Sequence, residues 1–364
     1  MTEPHYKKAL LAFGNYQPDL PGTEHGFEEF SVIPLSGGLI NDTYKIESPS
    51  GNSFILQRIN QHVFPQPEEV QENYIHLSDY AASGSAGFKM PKPMYYSQTG
   101  SLFKDDNGNS WRAFEFVNES IAVPVANTPG QAGETAATFA KFTKAFSGFD
   151  TCLLHEVIPG FHNLSLRYRQ FETSLSTALP ERMDRSAGLC AELKNRERYK
   201  FFYEEIKTSD EYPLRVMHHD AKIANILFNN RSGEVICPVD FDTAMPGYFF
   251  SDLGDMIRSM AGSAGENETD LRQVTIRTDI YKAVIEGYLS HLADKFTVVE
   301  RNHIHHAGLL ITYMQALRFL TDYLGGDTYY KIDYPDHNLR RAENQLALLK
   351  SLEDYLRREY HNES

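Results

Sequence analysis
Asp220, Asn225 and Asp240 stand within residues 216–247, VMHHDAKIANILFNNRSGEVICPVDFDTAMPG, along two short apolar runs that an ordinary core would keep free of them. Carboxylate and amide oxygens are the ligands a hard divalent cation such as Mg²⁺ takes, and that cation usually keeps waters and substrate phosphates as its other ligands. A carboxylate beside it can accept the proton of a substrate hydroxyl. The plainer alternative makes Asp220 and Asn225 loop caps, and Asp240 and Asp242 acids at strand ends.

The elements around these residues must bring them together. NILFNN (225–230) and EVICPVDF (234–241) read as strands, and RSG between them as turn chemistry. A turn centred between Ser232 and Gly233 sets Asn225 opposite Asp240. Asp220, on the loop entering the first strand, then reaches the same spot. Pro238 cannot donate to a ladder, which predicts an edge strand or a bulge just before Asp240.

The rest of the chain is that of an ordinary globular protein, with 364 residues and a hydrophobic fraction of 41%. Its 35 basic and 49 acidic residues leave a formal charge of −14, which argues against nucleic acid or an anionic membrane as partner. Cys152, Cys190 and Cys237 are odd in number and widely spaced, so neither a disulfide framework nor a thiolate zinc site is expected. With no leader-like or membrane-spanning apolar run, a cytoplasmic location is expected.

Strands are predicted over 28–35, 42–49 and 53–60, an amphipathic helix over 65–84, and further strands over 92–98 and 101–117. From about residue 118 helical spacing dominates. The expected fold is therefore α+β in two lobes. An N-terminal antiparallel sheet with one helix covers 1–117, and a larger, mainly helical lobe covers 118–364, with a hinge near 115–119.

His218 to Asn225 satisfies H-x-D-x-x-x-x-N, the catalytic-loop pattern of protein kinases, and Asp240-Phe241-Asp242 stands where their D-F-G stands. The other parts of a nucleotide site follow in order. Ser36, Gly37, Gly38 and Asn41 lie in a loop between the first two strands that would cover phosphates; alone it is an ordinary hairpin turn. Arg58, on the third strand, would pair with the phosphates, or be an edge charge. Glu72 on the helix would hold Arg58, with Glu69 as its rival and a solvated surface acid as the alternative. Glu115 to Val117 would offer backbone groups to adenine, or be a buried edge strand.

With these parts in order the chain resembles the protein-kinase-like superfamily, and more closely the aminoglycoside phosphotransferase and choline kinase family. Arg58 in place of lysine, His219 in place of arginine, Asp242 in place of glycine and the lack of G-x-G-x-x-G all fit that branch. Asp252-Leu253 looks like its D-L-A segment, whose aspartate buttresses the catalytic loop. FILQRINQHVFPQPEEVQEN, VIPGFHNLSLRY and ALRFLTDYLGGDTYYKI look more particularly like the N-acetylhexosamine 1-kinases.

The resemblance implies ATP and Mg²⁺ as cofactors, with Asn225 and Asp240 on the metal and Asp242 either on a second metal or shaping the turn. Asp220 would be the catalytic base, with Lys222 neutralising charge on the transferred group. Arg318, Tyr329, His162 and Tyr360 would face the sugar. Tyr360 is the weaker of these, and the other three have plainer alternatives: Arg318 as an ion pair with Asp322, Tyr329 as core, His162 with Asn163 as a helix cap. Competing functions are a kinase of homoserine, choline, methylthioribose or an aminoglycoside, and a catalytically silent nucleotide-binding protein. A third is a metal hydrolase built on His303, His305 and His306, whose spacing does not share one helix face well. The sugar, its anomer and the oligomeric state are left open.

Overall fold
The structure, a computed structural model, describes residues 3–16, 30–35, 40–84, 87–97 and 100–360. It forms two compact units, the first from Met1–Ile121, Cys152–Pro159 and Leu227–Met245, the second from Ala122–Thr151, Gly160–Ile226 and Pro246–Ser364.

The first unit opens with α1 (Glu3–Gly14), followed by β1 (Ser31–Pro34), β2 (Asp42–Glu47), β3 (Ser53–Arg58), α2 (Pro67–Ala82), β4 (Phe103–Lys104) and β5 (Ser110–Glu115). The strands form one antiparallel sheet in the order β1-β2-β3-β5-β4. In α2, Pro67 starts the helix, Glu68 and Glu69 occupy its first turn, and Val70, Tyr74, Leu77 and Ala81 form its buried stripe. The predicted strand at 92–98 is reduced to an isolated bridge between Pro93 and Phe114. The prolines at 91 and 93 lack the donors a regular strand needs.

The pleat gives the sheet two unlike faces. Tyr44, Ile46, Leu56, Trp111 and Ala113 pack in one core with Ala9, Ala12, Phe13 and Tyr16 at the end of the chain's first helical segment. Burying each large apolar side chain here is worth about 1.5–3 kcal/mol. Tyr16 completes the seal: its hydroxyl donates to Trp111 O at 2.5 Å and accepts from Phe103 N at 3.0 Å. The opposite face carries Thr43, Gln57, Arg112 and Phe114, and is largely polar.

The remaining elements are β6 (Ser120–Ala122), α3 (Pro129–Ala145), α4 (Leu164–Thr177), α5 (Pro180–Lys194), α6 (Arg198–Thr208), β7 (Arg215–Met217), β8 (Ile226–Asn229), β9 (Val235–Pro238) and β10 (Met245–Gly247). After these come α7 (Phe250–Met260), α8 (Thr278–Leu292), α9 (Val298–Asn302), α10 (His306–Leu324) and α11 (His337–Tyr360). A break separates α5 from α6, and there Arg196 reaches Glu353 at 3.0 Å while Tyr313 Oη donates to Leu193 O at 2.8 Å. In the second unit α3 and α8 meet through glycines. A Cβ on Gly287 would stand 2.2 Å from Gly133 O, so only glycine permits this approach. Among the described residues, no helix is long and apolar enough to cross a membrane.

Candidate active site
The catalytic loop lies in the second unit, and its entry strand is firmly held. Arg215 at the start of β7 pairs with Glu300, which is fully buried and closes a capping box with Thr297 at the start of α9. The loop then turns sharply. His219 has φ 64°, and a Cβ on Gly247 would stand 2.5 Å from its Nε2, so the histidine fits only over a glycine. Asp252 of α7 accepts His218 N–H at 2.9 Å and His219 N–H at 2.7 Å. Burial pushes its carboxyl up to about 7 against those two bonds.

Asp220 follows. Its Oδ2 accepts from Lys222 Nζ at 2.8 Å and from Asn225 Nδ2 at 2.8 Å, and Asn225 Nδ2 also reaches Asp220 O at 2.9 Å. Burial works to raise the Asp220 carboxyl, but the Lys222 ammonium and the two hydrogen bonds outweigh it and hold the pKa below the usual value. Asn225 turns its NH₂ to Asp220, which leaves Oδ1 without a protein donor among the described residues. That amide oxygen fits a hard cation.

The D-F-D segment lies in the first unit. The turn before it is NRSG rather than RSG: Asn229 N–H bonds Glu234 O at 2.7 Å, Gly233 N–H bonds Asn229 O at 2.9 Å, and Gly233 has φ 74°. The hairpin register is therefore shifted by two residues from the one expected, so it does not set Asn225 opposite Asp240. β9 is an edge strand that ends at Pro238. What aims Asp240 is its own backbone, at φ 65° and ψ 56°, a left-handed conformation uncommon outside glycine.

Asp242 is buried and belongs to a network that sequence reasoning missed. Arg112, 1% exposed, forms an ion pair with it, and Asn41 Nδ2 donates to it at 2.6 Å. Gln57 Oε1 accepts from Arg112 Nε at 3.0 Å and Nη2 at 2.8 Å. Asp242 is thus tied to side chains of the sheet. Strand parity is the overlooked signal, since alternation sets Arg112 with Phe114, away from Trp111.

The same parity corrects the expectation for Arg58. It shares the face of Leu56 and Trp111, and donates to Asp42 through Nε at 2.8 Å at the half-exposed end of β3. The arginine on the Asp242 face is Arg112. Glu72 and Arg58 do not pair: Glu72 bonds His155 Nε2 at 2.9 Å, and Glu69 lies 3.9 Å from His155 Nδ1. Asn73, also missed, pins the 152–159 segment by accepting His155 N–H at 2.8 Å and donating to Ala244 O at 3.1 Å.

Glu115 N–H bonds Lys92 O, and Val117 O accepts from Ser120; Val117 N–H has no acceptor among the described residues. Ser36, Gly37 and Gly38 lie outside the described residues.

Beyond Asp220, the second unit gathers the residues expected on the acceptor side. Phe161 stacks on His162 at 4.6 Å, and His162 stands 5.1 Å from His219. Arg318 lies 5.2 Å from the Phe161 ring, 5.8 Å from Tyr329 and 5.5 Å from Tyr330. Arg167 donates to Phe161 O at 3.2 Å, and burial with the nearby Arg318 charge lowers its pKa to about 10. Asn163, not His162, caps α4 by accepting Leu166 N–H at 2.9 Å. Burial, with His219 and Arg318 nearby, keeps His162 neutral, and its Nδ1 has no hydrogen-bond partner among the described residues.

Asp322 does not pair with Arg318. It accepts the N–H groups of Thr328 at 2.9 Å, Tyr329 at 2.8 Å and Tyr330 at 2.9 Å, and so shapes the loop that presents both tyrosines. Tyr360 is not brought to this cluster. Its ring lies tilted 4.1 Å from His305, beside the first turn of α10, about 18 Å along the helix from Arg318. His303 bonds Tyr212 Oη at 2.7 Å and His305 bonds Tyr281 Oη at 2.6 Å, so these histidines are engaged with tyrosines.

Comparison with known proteins identifies the fold and the family. Solved structures share the fold at low identity. A microcompartment-associated aminopropanol kinase superposes with a TM-score of 0.64 at 16% identity, over 96% of this chain and 97% of that one. The GDP complex of aminoglycoside 2'-phosphotransferase-IIIa gives 0.60 at 16%, over 95% and 99%. The amicoumacin kinase hAmiN in complex with AMP-PNP, Ca²⁺ and Ami gives 0.54 at 14%, over 89% and 88%. The model of the phosphotransferase enzyme family matches residues 31–283. With that match over most of its length, the chain belongs to the phosphotransferase enzyme family.

Proposed function
We propose that this phosphotransferase moves the γ-phosphoryl group of ATP to a hydroxyl of a neutral amino-sugar derivative, the anomeric hydroxyl of an N-acetylhexosamine. The observation that carries the reading is the acceptor-side cluster, in which Arg318 and Arg167 stand among Phe161, Tyr329 and Tyr330. Aromatic faces suit a sugar ring, and guanidinium groups donate to hydroxyl and carbonyl oxygens. Two arginines repel a substrate that carries an ammonium group. The structurally similar aminopropanol and aminoglycoside kinases are named for amines, so an amine acceptor is the reading to be defeated.

Asp220 Oδ2 is occupied by Lys222 and Asn225, which leaves Oδ1 to receive the acceptor hydroxyl. Asp220 orients that hydroxyl and takes its proton as the oxygen–phosphorus bond forms. Its lowered pKa suits positioning and late proton transfer better than strong basicity. Lys222 offsets negative charge on the transferred group. Asn225 and Asp240 are the oxygen ligands assigned to Mg²⁺, which when bound neutralises charge on the nucleotide phosphates. Val117 N–H is the donor assigned to adenine, and the 36–41 loop the cover for the phosphates.

The test is an ATP-consumption screen over N-acetylated hexosamines, free hexosamines, neutral hexoses, choline, homoserine, methylthioribose and aminoglycosides. Turnover is expected on the N-acetylated sugars, with loss of the reducing end in the product. Preference for choline or an aminoglycoside would overturn the sugar assignment, and a product that keeps its reducing end would overturn the anomeric one.

A further inference from the structure
Beside β4, at the edge of the five-stranded sheet, lies an open cavity of about 450 Å³ that the mechanism above leaves unused. That is room for a small organic ligand. Gln71 and Ile75, four apart on one face of α2, line it from the helix, and Tyr95, Tyr96 and Leu102 line it from the segment leading into β4. Tyr96 is fixed there by edge contacts with Tyr16 and Phe103, both at 5.9 Å, and Gly100 leaves its ring room, since a Cβ there would collide with it. Every lining residue belongs to the first unit.

Gln71 carries the chemistry. It is 3% exposed, and neither Oε1 nor Nε2 has a hydrogen-bond partner among the described residues. A sealed amide unpaired at both ends is costly and uncommon in a folded protein. Its last torsion is soft, so a ligand seated in the cavity can draw the amide to itself. The ligand that gains most offers a donor and an acceptor side by side on one edge. A trans amide, as in a peptide or an acetamido group, sends its N–H and C=O to opposite sides and meets only one end of Gln71. A nucleobase carries both on one edge. The Tyr95 ring, 41% exposed, with Ile75 and Leu102 supplies apolar surface for the face of a base. A phosphate has no counterpart here. Lys104 of the same lining pairs with Glu68 at 2.5 Å, and Glu72 adds a second carboxylate.

We propose that this cavity is a second binding site that takes a nucleobase, free or within a nucleoside, with Gln71 pairing to its edge and Tyr95 covering its face. The site is separate from the one that holds ATP and does not depend on which acceptor the enzyme uses.

The experiment is titration calorimetry on the full-length enzyme with its nucleotide site filled by AMP-PNP and Mg²⁺. The probes are adenosine, cytidine, guanosine and uridine, their free bases and the corresponding monophosphates. Saturable binding of at least one nucleoside or base is expected, with its monophosphate weaker, and comparison of base with nucleoside tells which of the two the cavity takes. Gln71→Met should weaken that binding roughly 10- to 100-fold, the loss for one bidentate amide–base pair. Tyr95→Ala should weaken it roughly 10-fold by removing the ring, and neither change should move the ATP KM. Binding that AMP-PNP abolishes belongs to the nucleotide site and overturns the proposal. So do an affinity unchanged in both variants, tighter binding of the monophosphate, and the lack of saturable binding by any probe. Should Gln71→Met fail to fold, Tyr95→Ala and the monophosphate comparison decide.

Discussion

The catalytic loop and the Asp242 network are both polar assemblies, the first partly exposed and the second buried, and they are built in opposite ways. The loop's acid, its lysine and its asparagine fall within six consecutive residues, and Asp252 joins them from elsewhere in the chain. The Asp242 network draws single residues from β3, β5, the position just before β2 and the segment after β9. A local assembly has its geometry set by one turn, so it can be tuned for chemistry. A dispersed one depends on the register of three strands, and in return it ties the sheet to the D-F-D segment.

That contrast predicts different failures. Asp220→Asn keeps the shape and removes the proton acceptor, so kcat should fall roughly 10³-fold or more while nucleotide binding and the melting temperature hold. Near wild-type turnover would break the local half of the comparison. Arg112→Met leaves Asp242 buried and uncompensated, and should cost about 3–5 kcal/mol of stability in urea unfolding. A midpoint matching the wild type would show the dispersed network to be dispensable. Asp322→Ala strips the acceptor from three backbone amides, with an expected cost of about 1–3 kcal/mol and a higher acceptor KM. A changed nucleotide KM instead would place that loop on the wrong side of the reaction. Arg58→Met sharpens the comparison from below. A half-exposed pair with Asp42 is worth at most about 1 kcal/mol, and nucleotide affinity should not move. Loss of nucleotide binding in Arg58→Met would overturn the assignment of sheet faces.

The same contrast explains what could be read from the sequence. His218 to Asn225 carries its spacing in eight consecutive residues, and the structure holds Asp220, Lys222 and Asn225 together as that spacing suggests. The α2 stripe and the antiparallel strands were legible because periodicity is a local signal. Arg58 was chosen by its strand, but a strand has two faces and only pairing with β5 tells them apart. The hairpin register failed by two residues because Gly233 closes a longer turn than RSG suggests. Arg112 and Asn73 were invisible for a related reason: their partners lie 130 and 171 positions away. The helix α1 went unread because its inward positions are mostly alanine, which adds little to an apolar pattern.

Arg112 also bears on how the chain is made. It is synthesised 130 residues before Asp242. At common elongation rates its charge waits roughly 6–26 s on the ribosome for its counter-ion. Until then the sheet can form its α1 side, but its opposite face carries a guanidinium that burial would penalise. The first unit should therefore mature late, after much of the second has been synthesised, despite standing first in the chain. A nascent chain stalled before Asp242 should show a protease-sensitive sheet, and one stalled well beyond it a protected one.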